Sequence, residues 1–251
     1  MPPLYVAAPV GLGQNPGVQL RHVTGSIADF HARVIPDDLA DAEVWSFEPS
    51  APALVLGSAQ DHTTASAAAT AAAGIAVVRR RSGGGAVHVD PARSVWIDVV
   101  VPRHDERWSD DVRESVYWLG EAWQRALARL GIASELYRGG LEQTPWGRLV
   151  CFAALGPGEV LVEGRKLVGI SQRRTKAGAR FQCIAYDRWD PYDVLDLLDM
   201  TAEDRAVAGA DLAGRATGVG DRLAELRAAI LEELVEGSGP PRRGPTPPPM
   251  H

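Results

Sequence analysis

Two stretches of the chain hold residue types suited to handling an anion. The first, Val78–Asp90, reads VRRRSGGGAVHVD. A tight turn needs one glycine, or two. Gly83, Gly84 and Gly85 in succession beside three arginines describe a backbone stripped of Cβ atoms, whose N–H groups can approach a ligand closely and form an anion-binding nest. In an extended chain Arg80 and Arg81 point to opposite sides, so one of the two faces such a site. The competing reading is a hairpin with a glycine-rich bulge and solvated arginines. No Gly-Lys-Ser/Thr follows, which excludes a Walker A loop. The glycines are contiguous and lead into a strand, which excludes a dinucleotide fingerprint.

The second stretch, Gly164–Arg180, reads GRKLVGISQRRTKAGAR. It carries six basic residues (Arg165, Lys166, Arg173, Arg174, Lys176, Arg180) and no acidic one, in a chain of formal net charge −6. A positive concavity of this kind would collect an anionic substrate. The segment has no aromatic side chain on which bases could stack, and the net charge has the wrong sign for a general phosphate-backbone binder, so nucleic acid is not the expected partner. Of 26 basic residues only Lys166 and Lys176 are lysines. A composition that drifts to arginine keeps lysine where a compact charge with a movable pKa is needed. Arg173, Arg174 and Lys176 also fit a solvated hairpin rim; Lys166, which opens the apolar run KLVGI, does not.

The elements that would position these groups follow from periodicity and turn residues. The 251 residues suffice for one large domain or two small ones. Residues 1–17 read as a flexible leader, 18–236 as one folded domain, and 237–251 as a disordered Pro-rich tail. No apolar run is long enough for a bilayer, and the leader lacks the basic and apolar regions of a signal peptide. Two cysteines, Cys151 and Cys183, point to reduced thiols in a cytoplasm, with a single bridge between them left open. GSIADFHARVI predicts a helix of about three turns capped by Ser26. AEVWSFEP and ALVLG predict strands, and HTTASAAATAAAG a helix ending at Gly74. IAVVR reads as a buried strand, and AVHV and SVWIDVVV as a pair of strands joined through DPAR. DDVRESVYWLGEAWQRALARLG is the strongest helical pattern. LVCFA, EVLVEG, KLVGISQRR and RFQCIAY read as strands; PYDVLDLL and DRLAELRAAILEELVEG as helices. Consecutive strands framed by helices predict an α+β fold with a mixed, largely antiparallel sheet.

RRRSGGGAV followed some eighty residues later by VEGRKLVGISQRR resembles the lipoate–protein ligase and octanoyltransferase family, over roughly residues 20–200, with biotin–protein ligases as more distant relatives. The resemblance implies the α+β fold of the class II synthetase and biotin–lipoate ligase catalytic domain. It implies that Arg80, Ser82, Gly83, Gly84, Gly85 and Ala86 line the acyl and nucleotide site, joined by Gly169 and Ser171. Lys166 matches the lysine that contacts acyl carbonyl and phosphate oxygens, where an ammonium lowers a barrier by preorganised electrostatics. The chain departs from the pattern at four places, one of them DPARS, which replaces an asparagine. Val89-Asp90 stands where the family has His-Asp, with His88 one position early and therefore on the opposite face of a strand. LGPGEV replaces an Asn-Asp pair, and the separate C-terminal domain of many ligases has no counterpart after residue 200.

One octanoyltransferase branch carries a nucleophilic cysteine at the spacing of Cys151 from Lys166, with a glutamate where Glu159 stands. A thiolate would take the acyl group as a thioester and pass it to a lysine amine; Cys151 as a small buried core residue is the plain alternative. Cys183 is expected in the core, and His62 and His104 at the surface with no metal spacing. The first expectation is a lipoate–protein ligase that uses ATP and Mg²⁺ to activate lipoate or octanoate as an acyl-adenylate. The second is an ATP-independent octanoyltransferase using Cys151, and the third a non-catalytic lipoyl-carrier or acyl-adenylate binding protein. The implied partners are lipoyl domains of 2-oxoacid dehydrogenases or the glycine-cleavage carrier, with an accessory chain possible; neither nucleic acid nor membrane is expected.

Overall fold

The computed structural model describes residues 17–237. The proposed leader and tail therefore lie outside the described residues except for Gly17 and Gly237. In chain order the elements are β1 (Val18–Gly25), α1 (Ile27–Ala32), β2 (Ala42–Pro49), β3 (Ala53–Leu56), α2 (Ala67–Ala73), β4 (Ala76–Arg79), β5 (Val87–Val89), β6 (Ser94–Pro102), α3 (Tyr117–Arg129), β7 (Glu135–Leu136), β8 (Val160–Val162), β9 (Arg165–Arg174), β10 (Gly178–Tyr186), α4 (Tyr192–Leu195), α5 (Ala202–Leu212) and α6 (Leu223–Val235). Seven strands form one sheet in the order β1-β2-β6-β10-β9-β8-β7, and three form a second in the order β4-β3-β5. The large sheet is antiparallel except for the β1–β2 pair. The α+β class with a mixed, largely antiparallel sheet is the observed one. Among the described residues no helix is long and apolar enough to cross a membrane.

Side-chain alternation on the central strands separates two cores. On β6, Val95, Ile97, Val99 and Val101 pack with Leu119, Trp123 and Leu127 of α3 and with Leu226 and Ile230 of α6. Trp96 and Val100, on the other face, pack with Phe30 of α1, Val55 of β3 and Val87 and Val89 of β5. A third cluster covers the outer face of the small sheet with residues of α4 and α5. The glycine run lies in the small sheet, Lys166 in the large one, so a site built from both must sit between them.

Several local expectations are corrected. The helix after Ser26 is only six residues long, because Arg33 turns extended before Pro36; Ser26 is nonetheless its cap, accepting from the Asp29 N–H. The strand in IAVVR is an edge strand, half-exposed rather than buried. AVHV and SVWIDVVV do form β5 and β6, but in different sheets, since β5 pairs with β3. The long helix begins at Tyr117, with a single 3₁₀ turn before it. β1, β7 and α5 had no counterpart in the sequence reading.

LVCFA is not a strand. Cys151–Ala153 forms a 3₁₀ turn, and the carbonyls of Arg148 and Leu149 both accept from the Gln60 side chain. Only Val150 meets another backbone in sheet fashion, in a bridge to Ala86. There Ala86 N–H donates to Leu149 O at 2.8 Å and Cys151 N–H to Ala86 O at 3.0 Å. A Cβ on Gly85 would stand 2.6 Å from Val150 C and 2.8 Å from Cys151 N. Gly85 is therefore glycine because a second backbone crosses it. Gly85→Ala should lower unfolding free energy by about 1–3 kcal/mol, the usual cost of overpacking. Urea denaturation checks this, and a wild-type midpoint would refute the close crossing.

Candidate functional site

Arg80 organises the glycine loop from beneath. It is 2% exposed, and its guanidinium donates to Ser82 Oγ (3.1 Å), Val55 O (3.2 Å), Gly83 O (2.7 Å) and Gly85 O (2.9 Å). Arg81 is exposed, as alternation requires. With the Gly83 carbonyl drawn inward, the trans peptide turns the Gly84 N–H the other way. Among the described hydrogen bonds none uses the N–H of Gly83, Gly84 or Gly85. Gly84 holds φ +95°, a conformation that suits glycine.

Every hydrogen-bond acceptor around Arg80 is uncharged, and among the described residues it forms no salt bridge. Burial lowers its pKa from the ordinary arginine value, while Cys151 and Tyr186 act in the opposite sense. The guanidinium and the Cys151 thiol converge on Gly84: a Cβ there would stand 2.9 Å from Arg80 Nη2 and 3.6 Å from Cys151 Sγ. Cys151 is partly exposed, whereas Cys183 is buried; both are free, so the two are not bridged. Burial pushes the Cys183 thiol up, as befits an inert core residue.

Lys166 enters from β9, is 3% exposed, and its ammonium is fully engaged. It lies 2.6 Å from Glu159 Oε1 and donates to Cys151 O (3.0 Å) and Ala154 O (3.1 Å). The Phe152 ring stands 4.9 Å from Nζ. Glu159 is held in turn by the N–H of Gly156 at 2.8 Å and of Ile170 at 3.2 Å. Burial pushes the Glu159 carboxyl up, against the pull of Lys166 and of these two N–H groups. Gly169 leaves room for this group: a Cβ there would touch the Phe152 ring at 3.1 Å and the Lys166 stem at 3.3 Å.

Behind the loop runs a polar network that the sequence reading missed. Ser82 Oγ donates to Gln182 Oε1 at 2.7 Å and lies 3.0 Å from Ser171 Oγ. Gln182 Nε2 donates to Asp98 Oδ2 at 3.1 Å and sits 3.2 Å from His31 Nδ1. Asp98, wholly buried, also accepts from Trp96 Nε1 and Arg180 Nε. Burial pushes its carboxyl up, against the pull of Arg180. A signal existed: Asp98 is the lone acid in an apolar strand, and Arg180 and Gln182 alternate with Phe181 and Cys183. No local pattern, however, paired residues this far apart.

The sequence-predicted residues Arg80, Ser82, Gly83, Gly84, Gly85, Ala86, Cys151, Lys166, Gly169 and Ser171 are thus brought together between the two sheets. The expected positive concavity is not. Lys166 is neutralised by Glu159, Arg180 by Asp98 and Arg165 by Glu163. Arg174 lies over Trp108, and Arg173 and Lys176 form the exposed rim. Acids outside the segment, from Glu159 and Glu163 just before it to Asp98 on another strand, cancel its charge. His62 and His104 are exposed, and among the described residues no cluster of three or more His, Cys, Asp or Glu side chains is arranged to hold a metal ion.

The family model described as "Lipoyl protein ligase A/B catalytic domain" matches residues 34–209. The chain belongs to this family. Its fold is similar to the bipartite lipoate protein ligase of Thermoplasma acidophilum, described with its E2 lipoyl domain, at 16% identity and TM-score 0.66 over 86% of this chain and 81% of that one. It is likewise similar to a lipoate-protein ligase A bound with ATP, at 15% identity and TM-score 0.59, covering 86% and 82% of the two chains. A putative lipoate protein ligase from T. acidophilum with bound lipoic acid gives 16% identity and TM-score 0.56, covering 86% and 82%. At these identities the likeness shows the fold. No curated protein matches the chain. Within a lipoyl protein ligase A/B catalytic domain, the loop, Cys151 and Lys166 form the candidate centre.

Two measurements test the electrostatics. Glu159→Ala leaves a buried ammonium without a counter-charge and should cost about 3–5 kcal/mol, most of it recovered in the double variant Glu159→Gln/Lys166→Met. Equal losses in single and double variants would refute the coupling. Burial, with Arg180 and Arg80 nearby, lowers His31 from 6.5 to about 3. The unfolded chain then takes up a proton that the folded chain refuses, so this contribution is complete above about pH 6.5 and is lost as pH falls toward 3. Between about pH 7 and pH 4 the wild type should lose stability more steeply than His31→Gln; parallel curves in urea titrations would contradict the assignment.

Proposed function

We propose that this chain transfers an octanoyl or lipoyl group to a lysine of a lipoyl carrier domain through a thioester on Cys151. The observation that carries this reading is that the Cys151 thiol and Arg80, a buried cation with no carboxylate partner among the described residues, converge on Gly84. When the Cys151 thiolate, its proton released to solvent, attacks a donor thioester, negative charge passes to the carbonyl oxygen and then to the donor sulfur, which leaves as a thiolate and takes up a proton from solvent. When the carrier amine attacks acyl-Cys151, the Cys151 sulfur leaves as an anion and the amine's proton goes to solvent. Charge on sulfur develops beside Arg80 in both steps, and charge on oxygen is within reach of the outward N–H of Gly84. Lys166, bonded to the Cys151 carbonyl, positions the nucleophile's backbone.

An apolar cleft of ≈ 360 Å³, lined by Val112, Val116, Leu141, Pro157 and Ile170, runs to Ser171. Val112 and Leu141 are 51% and 63% exposed at its walls. It is a fitting seat for a medium-length acyl chain whose carboxyl end meets Ser82 and Ser171. The second reading, acyl-adenylate formation with ATP, is favoured by the unpartnered N–H groups of the loop and by the ATP-bound structural relative. Against it, the Lys166 ammonium would have to leave Glu159 or a carbonyl to meet a phosphate.

Incubation with an octanoyl-carrier donor should give a hydroxylamine-labile octanoyl adduct on Cys151, absent in Cys151→Ser, with no lipoate-dependent ATP–pyrophosphate exchange. The double variant Glu159→Gln/Lys166→Met, which leaves no buried charge unpaired, should lower turnover by at least about 10²-fold, the scale of one lost electrostatic group. Exchange that persists in Cys151→Ser would establish the adenylate route. Ligand binding with neither activity would establish a non-catalytic carrier-binding protein.

A further inference from the structure

Between β7 and β8, residues 137–159 contain no helix or strand beyond the 3₁₀ turn that starts at Cys151. A reactive group on such an excursion is placed by what grips the segment from outside. Two side chains grip its backbone on either side of the sulfur. Lys166 donates to the carbonyls of Cys151 and Ala154. Gln60, 9% exposed, donates from Nε2 to the carbonyls of Arg148 (3.1 Å) and Leu149 (3.0 Å), while its Oε1 accepts the Gly57 N–H at 2.8 Å. Carbonyls only accept and an N–H only donates, so these three partners fix which end of the amide is which. An amide side chain supplies an acceptor and a two-proton donor together, and asparagine is one methylene shorter.

The other end of the grip bears on the glycine loop. Gln60 closes a turn through its own N–H, which donates to Gly57 O at 3.0 Å, and within that turn the Ser58 N–H donates to Ser82 O at 3.0 Å. A Cβ on Gly57 would fall 1.8 Å from the Gly84 carbonyl oxygen. Residues 57–60 therefore follow the loop closely, and the amide passes that position to the segment that carries Cys151. The structure assigns Gln60 as a positioning residue: through backbone groups on both sides, it sets the distance between the Cys151 sulfur and the glycine loop. The seam with Ala86 attaches the segment along one line; Gln60 and Lys166, before and after the sulfur, remove the rotation about it. Loss of such a grip displaces a reacting atom, and a misplacement of about 1 Å costs on the order of 10²-fold in rate. The catalytic consequence rests on the proposed thioester reading; the coupling of loop and segment does not.

The test uses the full chain with Gln60→Met, close in volume but without donors, and Gln60→Asn, which keeps an amide in the turn and stops short of the segment. The Asn variant keeps the test informative if the Met variant folds poorly. Hydrogen exchange of the Ala86 and Cys151 amides, which form the seam, should quicken by at least about tenfold, with the amides of α3 at wild-type rates. With an octanoyl-carrier donor, kcat for octanoyl-Cys151 formation should fall by about 10²-fold while KM stays within about threefold of wild type. Wild-type kcat in a folded variant, a raised KM at unchanged kcat, or exchange that quickens equally in α3 would overturn the inference. If the wild-type chain forms no adduct, the thioester reading fails by itself. Exchange then decides for Gln60: quickening confined to the seam upholds the coupling, and unchanged exchange overturns it.

Discussion

The site depends on the crossing of two backbones, Gly85–Ala86 over Val150–Cys151. Two hydrogen bonds join them, and the crossing is close enough that one side chain atom on Gly85 would force them apart. This seam places the sulfur of Cys151 under the glycine loop. It also puts the Cys151 carbonyl where Lys166 reaches it from the other sheet. Gly57 serves the same crowding from below, since a Cβ there would overlap the Gly84 carbonyl. The loop is thus shaped by what packs against it, not by the freedom of its glycines.

Around the seam the buried charges are handled in two ways. Lys166 and Arg180 each have a buried carboxylate, Glu159 and Asp98, and each pair is completed by further hydrogen bonds, as low-dielectric burial requires. Arg80 differs: it is satisfied by backbone carbonyls and a serine hydroxyl but is not neutralised. A cation kept buried without an acid is costly unless an anion arrives during function. That asymmetry, more than the number of basic residues, distinguishes the centre electrostatically.

Much of the fold was legible in the sequence because its elements carry local signals. The apolar stripe of α3, the apolar runs of β6 and β10, the Ser26 cap and the helix stop at Gly74 all act within a few residues. The candidate residues were also legible, through the contiguous glycines and through Lys166 as a rare lysine heading an apolar strand. LVCFA misled because a run of apolar residues reads alike whether it pairs along a strand or turns once and is buried by other segments. The basic segment misled because charge is cancelled by partners, and Asp98 is 82 residues from Arg180 in the chain.

By itself the sequence determined most of the longer elements, the sheet-rich α+β class and the inventory of chemical groups, since propensity, periodicity and side-chain chemistry are properties of short windows. Only the tertiary structure decided which sheet each strand joined, that Arg80 turns inward while Lys166 is held by Glu159, and that Ser82 leans on Gln182, Asp98 and His31. Those outcomes come from contacts between residues tens of positions apart. Their energies depend on burial and distance, and neither exists until the chain has closed on itself.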